Sequence, residues 1–173
     1  MIRTAHFDDL ETIVEIYNAA IDAGFQTGFT ERTSVDERIG WFNEHTPDQY
    51  PLFVYIDDGK VAGWLSISPY RAGRGAFRYS VEISYFIHVD YRKKGIASQL
   101  LVYAINACRQ LNYKTAIAII LDKNTASINL MEKFNFQKWA FLPGVADFNG
   151  IECSHVYYGM KLHPHEDHSQ STL

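Results

Sequence analysis

The chain has 173 residues, which fits one domain, since domains most often run to about 100–150 residues. A composition of 47% hydrophobic, 14% aromatic and 21% charged residues supplies a core and excludes disorder for the body of the chain. The net charge of -4 and pI near 5.9 argue against a basic nucleic-acid-binding face, so no nucleic acid partner is expected.

The first strand falls at residues 2–5. Leu10, Ile13, Val14, Tyr17 and Ile21 recur at helical spacing and predict an amphipathic helix. Asp8, Asp9, Glu11 and Glu15 break up the same stretch, so it does not read as a secretory signal. Ser34 and Glu37 make a capping box that opens a second helix through about Glu44. Apolar runs at 52–56 and 61–68, joined by Asp57, Asp58, Gly59 and Lys60, predict a hairpin. Residues 70–79, with Gly73 and Gly75 among Arg71, Arg74 and Arg78, read as a loop.

A strand at 81–88, a helix at 95–111, a strand at 115–121 and a helix at 125–134 follow. Two more strands, at 139–142 and 153–162, flank a turn at Asn149 and Gly150. The domain therefore spans 1–162, and the polar stretch 163–173 is expected to be a disordered tail. His163, His165 and His168 in that tail offer no preorganised metal site. Cys108 and Cys153 lack metal-type or paired spacing and read as buried small hydrophobes in a reduced compartment. The longest apolar run, 116–121, is far short of the ~20 residues of a membrane span. A soluble, cytoplasmic protein without a membrane partner is expected, of the α/β (α+β) class with helices on the faces of a mixed sheet.

The chemistry concentrates at 80–101. A strand ends, a basic turn of Arg92, Lys93 and Lys94 follows, and Gly95 opens a helix with Ile96, Leu100, Tyr103 and Ala107 along one stripe. Free backbone N–H groups and the positive end of the helix dipole suit a phosphate there. Gly95 and Ala97 keep side chains out of its way. The segment is neither a P-loop nor a dinucleotide fingerprint, which need other glycines.

Arg92-Lys93-Lys94-Gly95-Ile96-Ala97 resembles the Arg/Gln-x-x-Gly-x-Gly/Ala signature of the GNAT superfamily of acetyl-CoA-dependent N-acetyltransferases. The stretch from Asn124 through Ser127 to Phe136 resembles that family's asparagine-led helix, with Asn135 in place of the usual glycine. Within the superfamily, Glu15-Ile16-Tyr17-Asn18-Ala19-Ala20-Ile21, Glu37-Arg38-Ile39-Gly40-Trp41-Phe42, Tyr50-Pro51-Leu52, Ser80-Val81-Glu82-Ile83-Ser84 and Phe141-Leu142-Pro143-Gly144 are similar to the phosphinothricin and methionine sulfoximine N-acetyltransferase group. The resemblance implies a mostly antiparallel GNAT-like sheet, acetyl-CoA as co-substrate, no metal, a small amino-acid-like acceptor, and a homodimer.

It also implies roles for particular residues. Glu82 stands at the position of the general base, and a carboxylate with a raised pKa could take the proton an ammonium must lose before it attacks a thioester. The alternative is an exposed strand face. Tyr85, Phe86 and Ile87 would pair with the amide-bearing pantetheine arm as an extra strand would. Lys93, Lys94, Gly95, Ile96, Ala97 and Ser98 would hold the pyrophosphate. Asn124 would lie near the thioester, or serve only as a helix N-cap.

Arg74, Gly75, Phe77 and Arg78, with Gln26 and Thr27, are the candidate acceptor contacts, an arginine fork being a natural carboxylate partner. Met131 occupies the position at which some relatives carry a proton donor; Tyr157 and Tyr158 are the candidates to replace it. A peptide N-acetyltransferase and a non-catalytic acyl-CoA sensor stay open as alternatives.

Overall fold

The computed structural model of the chain describes residues 1–162; the predicted tail at 163–173 lies outside them. The strands are β1 (Ile2–Thr4), β2 (Leu52–Asp57), β3 (Lys60–Pro69), β4 (Ser80–Ile87), β5 (Thr115–Leu121), β6 (Gln137–Phe148) and β7 (Ile151–Lys161). The helices are α1 (Leu10–Ala23), α2 (Val35–Asn43), α3 (Ile96–Gln110) and α4 (Thr125–Lys133). One seven-stranded sheet runs in the order β1-β2-β3-β4-β5-β7-β6, and only β4 and β5 pair in parallel. No helix among the described residues is long and apolar enough to cross a membrane.

Local chemistry accounts for the elements. The stripe of α1 is buried, and Gly24, at φ +73°, ends it in the left-handed region that glycine favours. At α2 the expected capping box forms: the Ser34 N–H donates to Glu37 Oε2 at 2.7 Å, and the Glu37 N–H donates to Ser34 Oγ at 3.3 Å. At the end of α4, Asn135 takes φ +61°. Its N–H donates to the Glu132 carbonyl, and that of Phe136 to the Met131 carbonyl, a Schellman close that asparagine tolerates.

Two cores form on opposite faces of the sheet. One packs Leu100, Leu101 and Ala104 of α3 and Met131 of α4 on Val81, Ile83 and Ala116. The other packs Ile13, Ile16 and Tyr17 of α1 on Val54 and Trp64. Truncating Leu100 or Leu101, both fully buried, to alanine should cost about 2–5 kcal/mol.

The last strand pair differs from expectation. The strand expected at 139–142 is longer: β6 starts at Gln137, continues past Pro143 and Gly144 through a register shift between Leu142 and Ala146, and reaches Phe148. A bulge absorbs both residues, with Gly144 at φ +60°. The strand at 81–88 also ends one residue early: His88 leaves the sheet and accepts a hydrogen bond from the Asp90 N–H, capping a single turn of 3-10 helix.

Candidate active site

The site begins where the sheet opens. β4 and β5 pair only from Ser80 to Glu82, opposite Thr115 to Ile117; beyond that the strands part. The β4 edge from Ile83 to Ile87 therefore has no strand partner on that side. A cavity of about 490 Å³ fills the fork, lined by those residues, by Ala118, Ile119 and Ile120, and by the start of α3. Free strand edges are what an amide-bearing chain pairs with.

At the far end of this cavity α3 begins on Gly95, at φ +78° and with no capping side chain. A methyl group built there would meet nothing within 4 Å, so the space in front of the helix is open to a ligand. Lys93, itself left-handed at φ +62°, lines the cavity with Arg92, Ile96, Ala97 and Ser98. Arg92 donates to Gln26 Oε1 at 3.3 Å. Positive charge, free amides and open volume thus coincide, which fits a pyrophosphate. Nearer the fork, the Tyr85 hydroxyl is buried beside Ser127 without a hydrogen-bond partner, and burial pushes its pKa up to about 12. That orphan donor faces a cavity that a polar chain would fill.

A second cavity, of about 580 Å³, lies on the other face of β4. The two share Gln26, Ser84, Phe86 and Ile119 in their linings, so they meet at the fork. Its floor is three cross-strand rows of β3 and β4: Ser68 opposite Glu82, Ser66 opposite Ser84, and Trp64 opposite Phe86. Tyr17, Thr27, Phe29, Arg38, Trp41 and His155 supply walls. Glu82 is the one carboxylate among these lining residues, and it stands at the last paired position of the fork. Burial raises its pKa, and the Arg71 guanidinium only partly opposes this.

Side chains alternate along β4, with Glu82, Ser84 and Phe86 lining the second cavity. Tyr85, Phe86, Ile87, Lys93, Gly95, Ile96, Ala97, Ser98 and Asn124 all line the first cavity. Asn124 also caps α4, accepting from the Ser127 N–H at 3.2 Å, as its N-cap reading expects. Lys94 does not line that cavity; its ammonium lies 4.7 Å from the Tyr91 ring centroid. Gln26 lines both cavities, and Thr27 lines the second, its hydroxyl 2.8 Å from that of Tyr17.

Arg74, Gly75, Phe77 and Arg78 are exposed and line neither cavity. Arg78 turns back to donate to the Gly75 carbonyl at 2.9 Å, and Phe77 packs edge-on against Tyr70. Of the three loop arginines, Arg71 is the one whose charge acts on Glu82. Met131 is fully buried, and Tyr158 is buried with its hydroxyl donating to Glu132 Oε1 at 2.8 Å.

Arg38, Trp41, Trp64 and Tyr17 had no functional assignment from the sequence. Tyr17, Arg38 and Trp41 lie within stretches marked by resemblance, which is the signal the sequence offers for them.

Comparison with known proteins agrees with this geometry. Residues 10–136 match the Acetyltransferase (GNAT) family. The L-methionine sulfoximine/L-methionine sulfone acetyltransferase of Pseudomonas aeruginosa is 33% identical over 166 residues, covering 94% of this chain and 95% of its own. The L-amino acid N-acyltransferase MnaT of Escherichia coli is 33% identical over 144 residues, covering 83% of each. Among solved structures, a phosphinothricin acetyltransferase from Sinorhizobium meliloti in complex with acetyl-CoA superposes with a TM-score of 0.88 at 28% identity, over 93% of this chain and 87% of that one. With the forked sheet, the open basic start of α3 and these similarities together, the chain belongs to the GNAT family of acetyltransferases and is an acyltransferase that depends on acetyl-CoA.

Proposed function

We propose that the enzyme acetylates the amino group of a small amino-acid-like acceptor, such as phosphinothricin, methionine sulfoximine or a similar compound, with Glu82 as general base. The observation that carries this reading is the placement of Glu82. It is the one carboxylate among the described lining residues of the second cavity, it is partly desolvated, and it stands beside the opening into the first. The names of the relatives supply the acceptor class.

Acetyl-CoA supplies the acetyl group as a thioester. The β4 edge from Ile83 to Ile87 offers its backbone to the pantetheine arm. The start of α3, with Lys93, holds the pyrophosphate. Ser84 and Phe86 form the shared wall at which the acceptor amine enters. Glu82 takes the proton that the amine gives up as its nitrogen bonds to the acetyl carbon. The electron pair of the broken C–S bond leaves on sulfur. A thiol with a pKa of about 8.5 is a competent leaving group as the thiolate, so no protein donor is required. Met131 is buried and cannot donate, and the Tyr158 proton is already engaged by Glu132.

The proposal includes a homodimer, supported by the exposed Trp139, Phe141, Val145 and Ile151 on the β6–β7 hairpin; light scattering reads the mass. The test of the function is thiol release from acetyl-CoA with phosphinothricin, methionine sulfoximine, methionine sulfone, common amino acids, polyamines and peptides. Release with the amino-acid group is expected. Release confined to peptides or polyamines would replace this reading.

A further inference from the structure

The second cavity holds a cation that nothing else uses. Arg38 projects from α2 with its guanidinium carbon 4.6 Å from the Tyr17 ring centroid and 4.2 Å from that of Trp41. Its Nε is buried without a hydrogen-bond partner. None of the ion pairs among the described residues includes it. The neighbouring acids do not serve it: Glu37 turns back onto Thr33 and Ser34, and Asp36 is exposed. Burial lowers the pKa of Arg38, but an arginine keeps its proton across the range in which proteins work. A buried cation needs compensation. The faces of the two rings supply part of it, and the guanidinium makes no side-chain hydrogen bond among the described residues, which leaves its donors to a ligand.

Its position along the cavity decides which part of a ligand it meets. Tyr17 and Trp41, the rings beneath Arg38, both pack on Trp64, with centroids 6.0 and 5.6 Å away, and Tyr17 also packs on Phe86 at 5.0 Å. Arg38 therefore stands over the Trp64–Phe86 row. Glu82 lies four residues back along β4, or about 13 Å of strand at the usual rise. The acceptor amine must lie near Glu82 and the shared wall at Ser84. An α-carboxylate, one carbon from the amine, stays at that end, where Arg71 already acts on Glu82. The far end of the side chain points toward Arg38.

We infer that Arg38 is a specificity-determining residue that receives the oxygen-bearing terminus of the acceptor's side chain. This rests on the amino-acid acceptor proposed above and deepens it. The site selects amino acids whose side chains end in an oxyanion or oxo group, such as a phosphinate or sulfone, over those ending in alkyl or thioether. Two oxygens on one centre match the two parallel N–H donors of the fork, and the flanking rings enclose the chain that carries them.

The experiment compares kcat/KM for methionine sulfone, phosphinothricin, methionine and norleucine in the wild type, Arg38→Met and Arg38→Lys, each with acetyl-CoA saturating. The wild type should prefer methionine sulfone to methionine by about 10–100-fold, the range of a charge-assisted hydrogen bond. In Arg38→Met the preference should fall to within about three-fold, and Arg38→Lys should keep part of it. Each variant's KM for acetyl-CoA reports whether the fold is intact. A wild type that treats methionine and its sulfone alike overturns the inference without any variant. So does a loss in Arg38→Met that falls equally on all four acceptors and vanishes with their α-carboxamides, which would put the α-carboxylate on Arg38. Failure of the underlying reading looks different: no thiol release from any amino acid, while other amines are acetylated.

Discussion

Replacing Glu82 with glutamine removes the one carboxylate among the described lining residues of the acceptor cavity while keeping its size and shape. The side chain accepts no hydrogen bond among the described residues. Burial is the larger influence on its pKa, and Arg71 is the only opposing one, so its pKa lies above the ordinary 4.5. A rise toward the working pH increases the affinity of the carboxylate for the amine's proton, which is what a general base requires. Positioned bases contribute about 10²–10⁴ in rate, or about 3–5 kcal/mol of barrier at 1.36 kcal/mol per factor of ten.

Glu82→Gln should therefore lower kcat by that factor. Its KM for acetyl-CoA should not move, since Glu82 does not line the cofactor cavity. In the wild type, kcat/KM for the acceptor should fall on the acid side with a limb above pH 4.5. That limb should vanish in Glu82→Gln and move further up in Arg71→Ala, where the opposing cation is gone. Thiol-release rates across pH give all three readings. A variant that turns over within about three-fold of wild type, with the limb in place, would refute the assignment.

The same burial has a consequence for stability. Because the folded state raises the pKa of Glu82, the wild type should lose stability as pH rises from 4.5 through the folded value. Glu82→Gln should thus melt higher than wild type at neutral pH, with the gap closing toward pH 4.5; calorimetry across pH checks it. Tyr85→Phe removes the orphan hydroxyl from the cofactor cavity and should raise KM for acetyl-CoA several-fold with little change in kcat, as single-turnover rates will show. Gly159→Ala would drive a methyl group into the Trp139 indole, which lies flat against that glycine. It should cost about 1–3 kcal/mol in urea unfolding and shift the tryptophan emission.

The two halves of the site were not equally legible in the sequence, and chain geometry explains why. Much of the first cavity, the candidate cofactor site, is built from residues close in sequence: a strand edge, a basic turn, and a helix opening on Gly95. Alternation at period two and a helix-start pattern are local signals, so Tyr85, Phe86, Ile87 and most of the 93–98 turn could be placed without knowing what lay across from them. The opening of the fork was not local. Nothing within residues 80–87 or 115–121 says that their pairing stops at Glu82 and Ile117, and that stop creates both the cavity and the exposed edge. That the loop at 70–79 lines neither cavity has a related cause. Its arginines and glycines are close to Glu82 in sequence, but backbone and ring contacts turn Arg78 and Phe77 outward.

The second cavity draws Tyr17 from α1, Thr27 and Phe29 from the loop after it, Arg38 and Trp41 from α2, Trp64 from β3, and His155 from β7. No spacing connects them. In sequence Arg38 is one more charged residue on a short, partly exposed helix, next to a glutamate that the capping box already assigns to Ser34. Only the structure shows Arg38 against the Tyr17 and Trp41 rings without an ion-pair partner among the described residues. A cation so placed is costly to an empty protein and useful to a filled one, which is the condition under which a binding site rejects a ligand lacking the matching oxygen. On the proposed reading, the residues assigned to acetyl-CoA can therefore stay fixed while acceptor preference is set from the far end of the second cavity, on a helix that supplies no lining residue to the first.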